Sequence, residues 1–217
     1  MKLLLERVLE RAYEQRLGIV TTDAVRLGTV GYANSNFVDY HPIPYSGLRS
    51  VIAACAFDFR NEVFFDYGAG KGRALLFAAR KPFRRVEGIE LAPALSTIAA
   101  NNIERARGRI RCTDVRVHTG NAVDFALPND VTTVHFYNPF RGDVLNSVME
   151  NIARSLLAHP RRIRILFAFP DDFDRLLSSP SSPLGRYLRR RTPLRWRWAP
   201  DEHMSHLYTI YEFSITA

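Results

Sequence analysis

The sequence has almost no lysine and little cysteine. Its 217 residues include 27 arginines but only 3 lysines and 2 cysteines. With so few cysteines and no CxxC or Cys/His spacing, neither a disulfide framework nor a zinc site is expected. Cys55 lies in an apolar run, which favours burial, whereas Cys112 stands among arginines, which favours exposure. Both are predicted to be unpaired thiols.

Long apolar runs are also missing. The first three leucines are followed at once by Glu6 and Arg7, so the segment lacks the apolar region of a secretion signal. Apolar residues then recur with the helical period, which predicts an amphipathic helix over residues 2–15. No later stretch approaches the roughly 18 apolar residues of a membrane span. We therefore expect a cytoplasmic protein with no membrane partner.

Acidic residues are outnumbered by basic ones, which gives a formal net charge of +8. Excess positive charge favours nucleic acids or other anionic partners, although arginine in place of lysine is also typical of a GC-rich genome. The densest cluster extends from Arg186 to Arg197 and contains no acid. Because Trp196 and Trp198 alternate with arginines, this segment is either the solvated face of an edge strand or a surface for an anionic partner.

Apolar runs alternate with helical patterns through the middle of the chain. Strands are predicted at 62–67, 85–91, 114–120, 131–140 and 162–170, and helices at 71–80, 92–106 and 141–158. This βα alternation specifies a parallel sheet with helices on both faces. Ahead of it, a helix is predicted at 46–57 with Ser46 as its N-cap.

Two further strand-like runs, 191–199 and 206–216, are separated by a short turn. A connection this short allows only an antiparallel hairpin, because a parallel return needs a longer crossover. The prediction is therefore a three-layer α/β sandwich whose seven-stranded sheet is mostly parallel, with one antiparallel strand. Residues 1–45 would form an N-terminal helix and a lid-like segment, and residues 46–217 a single globular domain.

Three glycines follow the first predicted strand at alternate positions, in the stretch DYGAGKG. Gly68, Gly70 and Gly72 would permit positive φ and close approach of a ligand to the backbone. N–H groups at the start of the next helix would favour an anionic or electron-rich ligand. The spacing does not fit GxGxxG or the P-loop. A tight turn without a ligand is the alternative.

The pattern Asp-x-Gly-x-Gly-x-Gly resembles the first motif of the class I S-adenosylmethionine-dependent methyltransferases, which have a Rossmann-like fold. The resemblance implies S-adenosylmethionine as cofactor, with Asp66 ordering the loop and Glu90 holding the ribose hydroxyls. Asn121 stands where the family often has an aspartate that contacts adenine, and Asp124 is a nearby substitute. The implied cofactor-binding residues are Asp66, Gly68, Ala69, Gly70, Gly72, Glu90, Leu91, Asn121, Ala122 and Asn138.

The fourth predicted strand ends in Asn138, Pro139 and Phe140. This is similar to the Asn/Asp-Pro-Pro-aromatic motif of methyltransferases that act on amino or amide nitrogens, with one proline missing. The resemblance implies that Asn138 and the Pro139 carbonyl orient a nitrogen acceptor, such as a protein lysine. Alternatively, Asn-Pro simply ends the strand and Phe140 caps the core. His135, three residues earlier, is expected to be a satisfied core histidine.

The stretch DYHPIPY places Tyr40 and Tyr45 on either side of stiffening prolines. It resembles the Tyr/Pro loop of certain protein-lysine methyltransferases with a seven-stranded catalytic domain, which implies a lid and a catalytic role for Tyr45. An aromatic face near a sulfonium stabilises the cation by about 0.5–2 kcal/mol. The alternative is a connector whose tyrosines pack on the sheet.

A metal site is not expected from the polar residues of the tail, Asp201, Glu202, His203 and His206, which are best explained as solvated turn residues. The sequence thus predicts a methyltransferase whose acceptor is unidentified. RNA or a small molecule is the alternative acceptor. A non-catalytic nucleic-acid-binding module with the same fold is the alternative function, with the basic cluster as its binding surface.

Overall fold

A computed structural model describes residues 2–32, 36–195 and 207–215. Its seven strands form one sheet in the order β3-β2-β1-β4-β5-β7-β6. The strands are β1 Val63–Tyr67, β2 Arg85–Glu90, β3 Val115–Thr119, β4 Thr133–Tyr137, β5 Arg162–Ala168, β6 Leu188–Pro193 and β7 Tyr208–Ser214. All neighbours pair in parallel except those of β7, which is antiparallel to β5 and to β6. The predicted sheet with one antiparallel strand is confirmed.

Helices cover both faces of this sheet. They are α1 Lys2–Leu17, α2 Tyr45–Ala54, α3 Arg73–Ala79, α4 Pro93–Ala106, α5 Gly142–Ala158 and α6 Asp171–Ser178. Phe64 belongs to a buried cluster with α2, α3 and α4, whereas its neighbour Phe65 belongs to a second cluster with α5 and α6. Successive strand side chains alternate between faces, so the three-layer α/β sandwich follows directly from the apolar runs and is confirmed.

Some local predictions are wrong. Helix α2 begins at Tyr45 after Pro44, without a side-chain cap, so Ser46 lies inside its first turn. Cys112 is buried rather than exposed, because its backbone N–H docks on the carbonyl of Ala79 at the end of α3. Helix α6 was not predicted, although its three early aspartates are favourable at a helix N-terminus.

The ends of two predictions fall outside the described residues. The predicted strand at 191–199 begins earlier, since β6 is Leu188–Pro193, and residues 196–199 are not described. The tail residues 201–206 lie outside too, and the described residues contain no metal-ligating cluster. No described helix has both the length and the apolar character needed to cross a membrane. The division at residues 45 and 46 stays a prediction.

Tyr67 presents a buried hydroxyl with no hydrogen-bond partner among the described residues. Its ring stacks on Phe136 with centroids 5.0 Å apart. A buried unsatisfied hydroxyl costs about 1–3 kcal/mol. We predict that Tyr67→Phe raises the free energy of unfolding by about 1 kcal/mol in urea titrations. As a control, Tyr211→Phe should lower it, because the Tyr211 hydroxyl donates to Asp174 at 2.7 Å; equal effects would contradict this account.

Candidate functional site

The glycine loop connects β1 to α3. Gly68, Gly70 and Gly72 have φ of 75°, 54° and 82°, a region that residues with a Cβ rarely adopt. The predicted conformational role of the three glycines is therefore seen. Their N–H groups, however, are satisfied within the protein. Those of Gly68 and Ala69 donate to the carbonyl of Ile89, both at 2.9 Å. The N–H groups of the loop glycines are therefore not free donors for a ligand.

Glu90, the last residue of β2, is buried beside this loop. Its carboxylate accepts hydrogen bonds from the N–H groups of Gly70 at 2.8 Å and Ala92 at 2.9 Å. Burial raises the pKa of Glu90, and these two bonds oppose the shift. Because a carboxylate has about four acceptor positions, these bonds leave acceptor capacity for a ligand.

A cleft opens above the carboxyl ends of β1, β2 and β4. The connections that follow the neighbouring strands β1 and β4 run in opposite directions across the sheet. The point between two such strands is the usual place for a ligand in this kind of sheet. Predicted residues that line the cleft are Asp66, Gly68, Ala69, Glu90, Leu91, Ala122, Asn138 and Pro139. Gly70, Gly72, Asn121 and Tyr45 are not among the lining residues. The volume is only about 80 Å³, against ~300–1,000 Å³ for typical small-molecule sites.

Residues 36–41, which we call the strap, close the cleft. The Tyr40 ring lies so near the glycine loop that a Cβ on Gly70 would collide with it. The Tyr40 hydroxyl donates to the carbonyl of Thr21 at 2.8 Å, and the Lys71 ammonium lies 5.4 Å from the ring centroid. Glycine at position 70 is therefore required by the approach of Tyr40.

The strap also pairs with the segment after β4. The Val38 N–H donates to the Pro139 carbonyl at 3.1 Å, and Phe37 forms an antiparallel bridge with Phe140. Pro139 in turn packs where a Cβ on Gly68 would lie. The carbonyl predicted to orient an acceptor thus already accepts one hydrogen bond in this closed arrangement.

Two non-glycine residues next to the cleft have left-handed backbone. Asn138 has φ of 49° and Phe169, after β5, has φ of 55°. Asparagine tolerates this region, but a bulky aromatic residue there is an outlier. The Phe169 ring lies 5.9 Å from that of Tyr137, which lines the cleft. Such strain clusters at functional sites, and it marks Phe169 as a residue that sequence reasoning missed.

Arg73, directly after Gly72, is another residue that the sequence did not indicate. Its side chain is 2% exposed and holds the N-terminal helix against the glycine loop. The guanidinium donates to Thr21 Oγ1 at 2.7 Å, Ile43 O at 2.8 Å, Glu10 Oε2 and Glu14 Oε1 at 2.9 Å, and Thr22 Oγ1 at 3.1 Å. Burial raises the pKa of Glu14, but hydrogen bonds from Thr21 outweigh it, and the net pKa is lowered.

Tyr45 belongs to this cluster rather than to the cleft. Its hydroxyl donates to Glu14 at 3.2 Å, and the Arg73 guanidinium lies 4.4 Å from its ring centroid. The geometry gives the predicted catalytic role of Tyr45 no support. Tyr40, at the other end of the proline-rich stretch, lies at the cleft instead.

Asp66 makes its side-chain hydrogen bond across the sheet. Its carboxylate lies 2.6 Å from His135 Nδ1, and His135 Nε2 lies 2.6 Å from the Tyr208 hydroxyl. All three side chains are buried. His135 is thus the satisfied core histidine that the sequence predicted, and Asp66 is bound to β4 rather than to the glycine loop.

The turn after β3 uses Asn121 for its own geometry. The Asn121 side-chain oxygen accepts a hydrogen bond from the Val123 N–H at 3.1 Å, as in turns capped by an asparagine side chain. Ala122 lines the cleft, whereas Asp124 is exposed and does not. The predicted contact of Asn121 with adenine would require this turn to rearrange.

Solved structures share this architecture. A glycopeptide N-methyltransferase complexed with S-adenosylmethionine is 14% identical, with a TM-score of 0.54, and the match covers 88% of this chain and 96% of that one. The Rossmann-like fold of the class I methyltransferases is the fold of this chain. No protein-family model matches the sequence, and no curated protein matches it.

Two other structures with this methyltransferase fold act on different molecules. Geranyl diphosphate C-methyltransferase of Streptomyces coelicolor is 14% identical, with a TM-score of 0.54, covering 80% of this chain and 79% of that one. Pyrococcus abyssi tRNA (uracil-54, C5)-methyltransferase is 16% identical, with a TM-score of 0.52, covering 81% and 42%. The methyltransferase fold therefore does not select an acceptor.

Removal of the buried cation tests the link between α1 and the glycine loop. We predict that Arg73→Met lowers the free energy of unfolding by about 3–5 kcal/mol, because it leaves Glu10 and Glu14 without their counter-charge. Arg84→Met is the control, since Arg84 pairs with Asp130 where both side chains are well exposed, and should change it by less than about 1 kcal/mol. Similar small shifts for both variants in chemical denaturation would refute the assignment.

Proposed function

We propose that this protein is an S-adenosylmethionine-dependent methyltransferase whose donor binds in the cleft beside Glu90. The observation that carries the proposal is a buried carboxylate at the end of β2, held against a glycine loop at the carboxyl edge of the sheet. The methyltransferase fold supports it, as do the S-adenosylmethionine and S-adenosylhomocysteine bound to proteins that share the fold.

The chemistry of the cleft fits a nucleoside sulfonium, although the space requires the strap to move. Glu90 retains acceptor positions for the ribose hydroxyls, and Leu91 and Ala122 offer apolar contacts for a base. A volume of about 80 Å³ cannot hold the whole donor. The strap would therefore open for binding and close again. After closure, the Tyr40 ring would lie beside the bound donor.

Bound S-adenosylmethionine would supply a methyl group activated by the sulfonium, so the protein mainly positions the acceptor and excludes water. The Asn138 side chain and the Pro139 carbonyl would orient an acceptor nitrogen once the strap releases Pro139. Tyr137 is no base at neutral pH, since burial raises its pKa to about 12. Both ring nitrogens of His135 are already engaged. Neither Tyr137 nor His135 is therefore assigned as the base that takes the proton of the acceptor.

An amino or amide nitrogen of a protein, of the lysine type, is the acceptor we favour, because Asn138 and Pro139 line the cleft. RNA and small molecules are the alternatives. Incubation with radiolabelled S-adenosylmethionine and cell extract should place label in the protein fraction. Label in RNA or in the low-mass pool would contradict the proposal that the acceptor is a protein. Tight donor binding without label in any pool would favour the non-catalytic module. A cytoplasmic location stays a prediction.

Glu90→Gln tests the donor site. Replacing a charged acceptor by a neutral amide weakens hydrogen bonds that are worth about 1.5–3 kcal/mol each, so we expect S-adenosylhomocysteine affinity to fall about 10- to 100-fold in calorimetry. Glu104→Gln is the matched control: this exposed carboxylate of α4 lies outside the cleft lining, and affinity should not change. Unchanged affinity in the Glu90 variant would remove the basis of the proposal.

The same variant carries a pH test. Burial raises the pKa of Glu90, so its carboxylate takes up a proton at a higher pH than an exposed glutamate, whose pKa is about 4.3. Donor affinity of the wild type should be constant at neutral pH and fall on acidification, beginning above that value. Glu90→Gln should lack this fall, and a parallel fall in both proteins would assign it to another group.

A further inference from the structure

A second concavity lies at the amino ends of the parallel strands, whereas the cleft lies at their carboxyl ends. Its residues come from α2, from the turn before β1, from the end of α3 and from the segment before β3. These are the regions that precede the parallel strands, whereas the cleft lies where the strands end. The concavity has a volume of about 650 Å³, well above that of the closed cleft.

Five cations surround this concavity, which we call the basic groove. They are Arg49, Arg80, Lys81, Arg109 and Arg111. All five side chains are exposed, and none of the described residues that line the groove is acidic. Within the described part of the chain none of them forms an ion pair, although many other arginines do. Exposed cations gathered around a concave surface create a positive potential that attracts anions.

The floor of the groove is apolar and aromatic. Phe57 and Phe59 are half-buried, and with Phe83 they form a cluster whose ring centroids lie 5.0–5.5 Å apart. The Lys81 ammonium lies 5.8 Å from the Phe59 ring centroid. Cations beside aromatic rings are the combination that binds single-stranded nucleic acids, since phosphates pair with the cations while bases and sugars contact the rings.

The arginine cluster at residues 186–197 is a weaker candidate than its density in the sequence suggested. Arg191 is neutralised by Asp174 through two bonds of 3.0 and 2.6 Å. The Arg186 guanidinium lies 4.8 Å from the Tyr187 ring centroid, and β6 is an edge strand whose consecutive arginines 189–191 are all exposed. Residues 196–197 are not described. The described part of the cluster thus shows the solvated basic face of an edge strand.

We propose that the basic groove binds the phosphate backbone of a single-stranded nucleic acid. Residues from four separate segments line the groove, which suits an extended polyanion better than a single phosphate. The groove is remote from the cleft, so this binding does not depend on the proposed methyl transfer. It supplies a partner surface whether or not that partner is also the acceptor.

The test is fluorescence anisotropy with a labelled 20-nucleotide oligouridine, and with oligothymidine to distinguish RNA from DNA. The triple variant Arg49→Ala, Arg109→Ala, Arg111→Ala should bind at least about tenfold more weakly at low salt. Each lost phosphate contact lowers the slope of log K against log salt by about 0.7, so the slope should fall by about 2. The triple arginine-to-lysine variant should keep the slope, because charge is retained.

The control is Arg186→Ala, Arg190→Ala, Arg195→Ala, which removes the same charge from exposed residues of the arginine cluster and should leave affinity nearly unchanged. Thermal unfolding verifies that each variant is folded. An equal loss in the control would show a general charge effect and overturn the proposal. So would no binding by the wild type, or displacement of the oligonucleotide by polyglutamate as readily as by unlabelled RNA.

Discussion

The buried guanidinium of Arg73 joins three parts of the molecule that are distant in sequence. It follows Gly72 at the end of the glycine loop and neutralises two carboxylates of α1. It also donates a hydrogen bond to the Ile43 carbonyl just after the strap. Thr21 connects the same cluster to the strap through the Tyr40 hydroxyl. Because a buried cation needs its partners, the N-terminal helix is part of the site's framework rather than an appendage.

The closed state of the cleft follows from these contacts around Arg73. With α1 in place, the Tyr40 ring is held against Gly70, while the Gly70 N–H is held by Glu90. One side of the loop therefore contacts the strap, and the other contacts the carboxylate proposed to bind the donor. Opening the strap would break contacts of Tyr40 and Val38 but need not disturb Arg73 or Glu90. The closed cleft is thus compatible with a preformed donor site beneath a movable cover.

The sheet and much of the cleft could be predicted because their signals are local. Alternating apolar runs fixed the layers, and the spacing from Asp66 to Glu90 brought both residues to one edge of the sheet. Arg73 could not be recognised, since its partners come from α1, more than fifty residues earlier. Proline spacing could not decide that Tyr40 rather than Tyr45 reaches the cleft. The basic groove escaped notice because its cations come from separate segments, whereas the contiguous arginine cluster is partly neutralised by Asp174.

Strand order has a consequence for how the protein assembles. Strand β6 precedes β7 in the chain, yet β7 lies between β6 and β5 in the sheet. Until β7 is inserted, β6 has no strand to pair with, and its exposed arginines would protect it from pairing with other chains. Insertion of β7 also delivers Tyr208 to His135 and completes the polar row that begins at Asp66. The hydrogen bonds beneath the cleft are therefore complete only when β7 has paired with β5, the same step that gives β6 its partner strand.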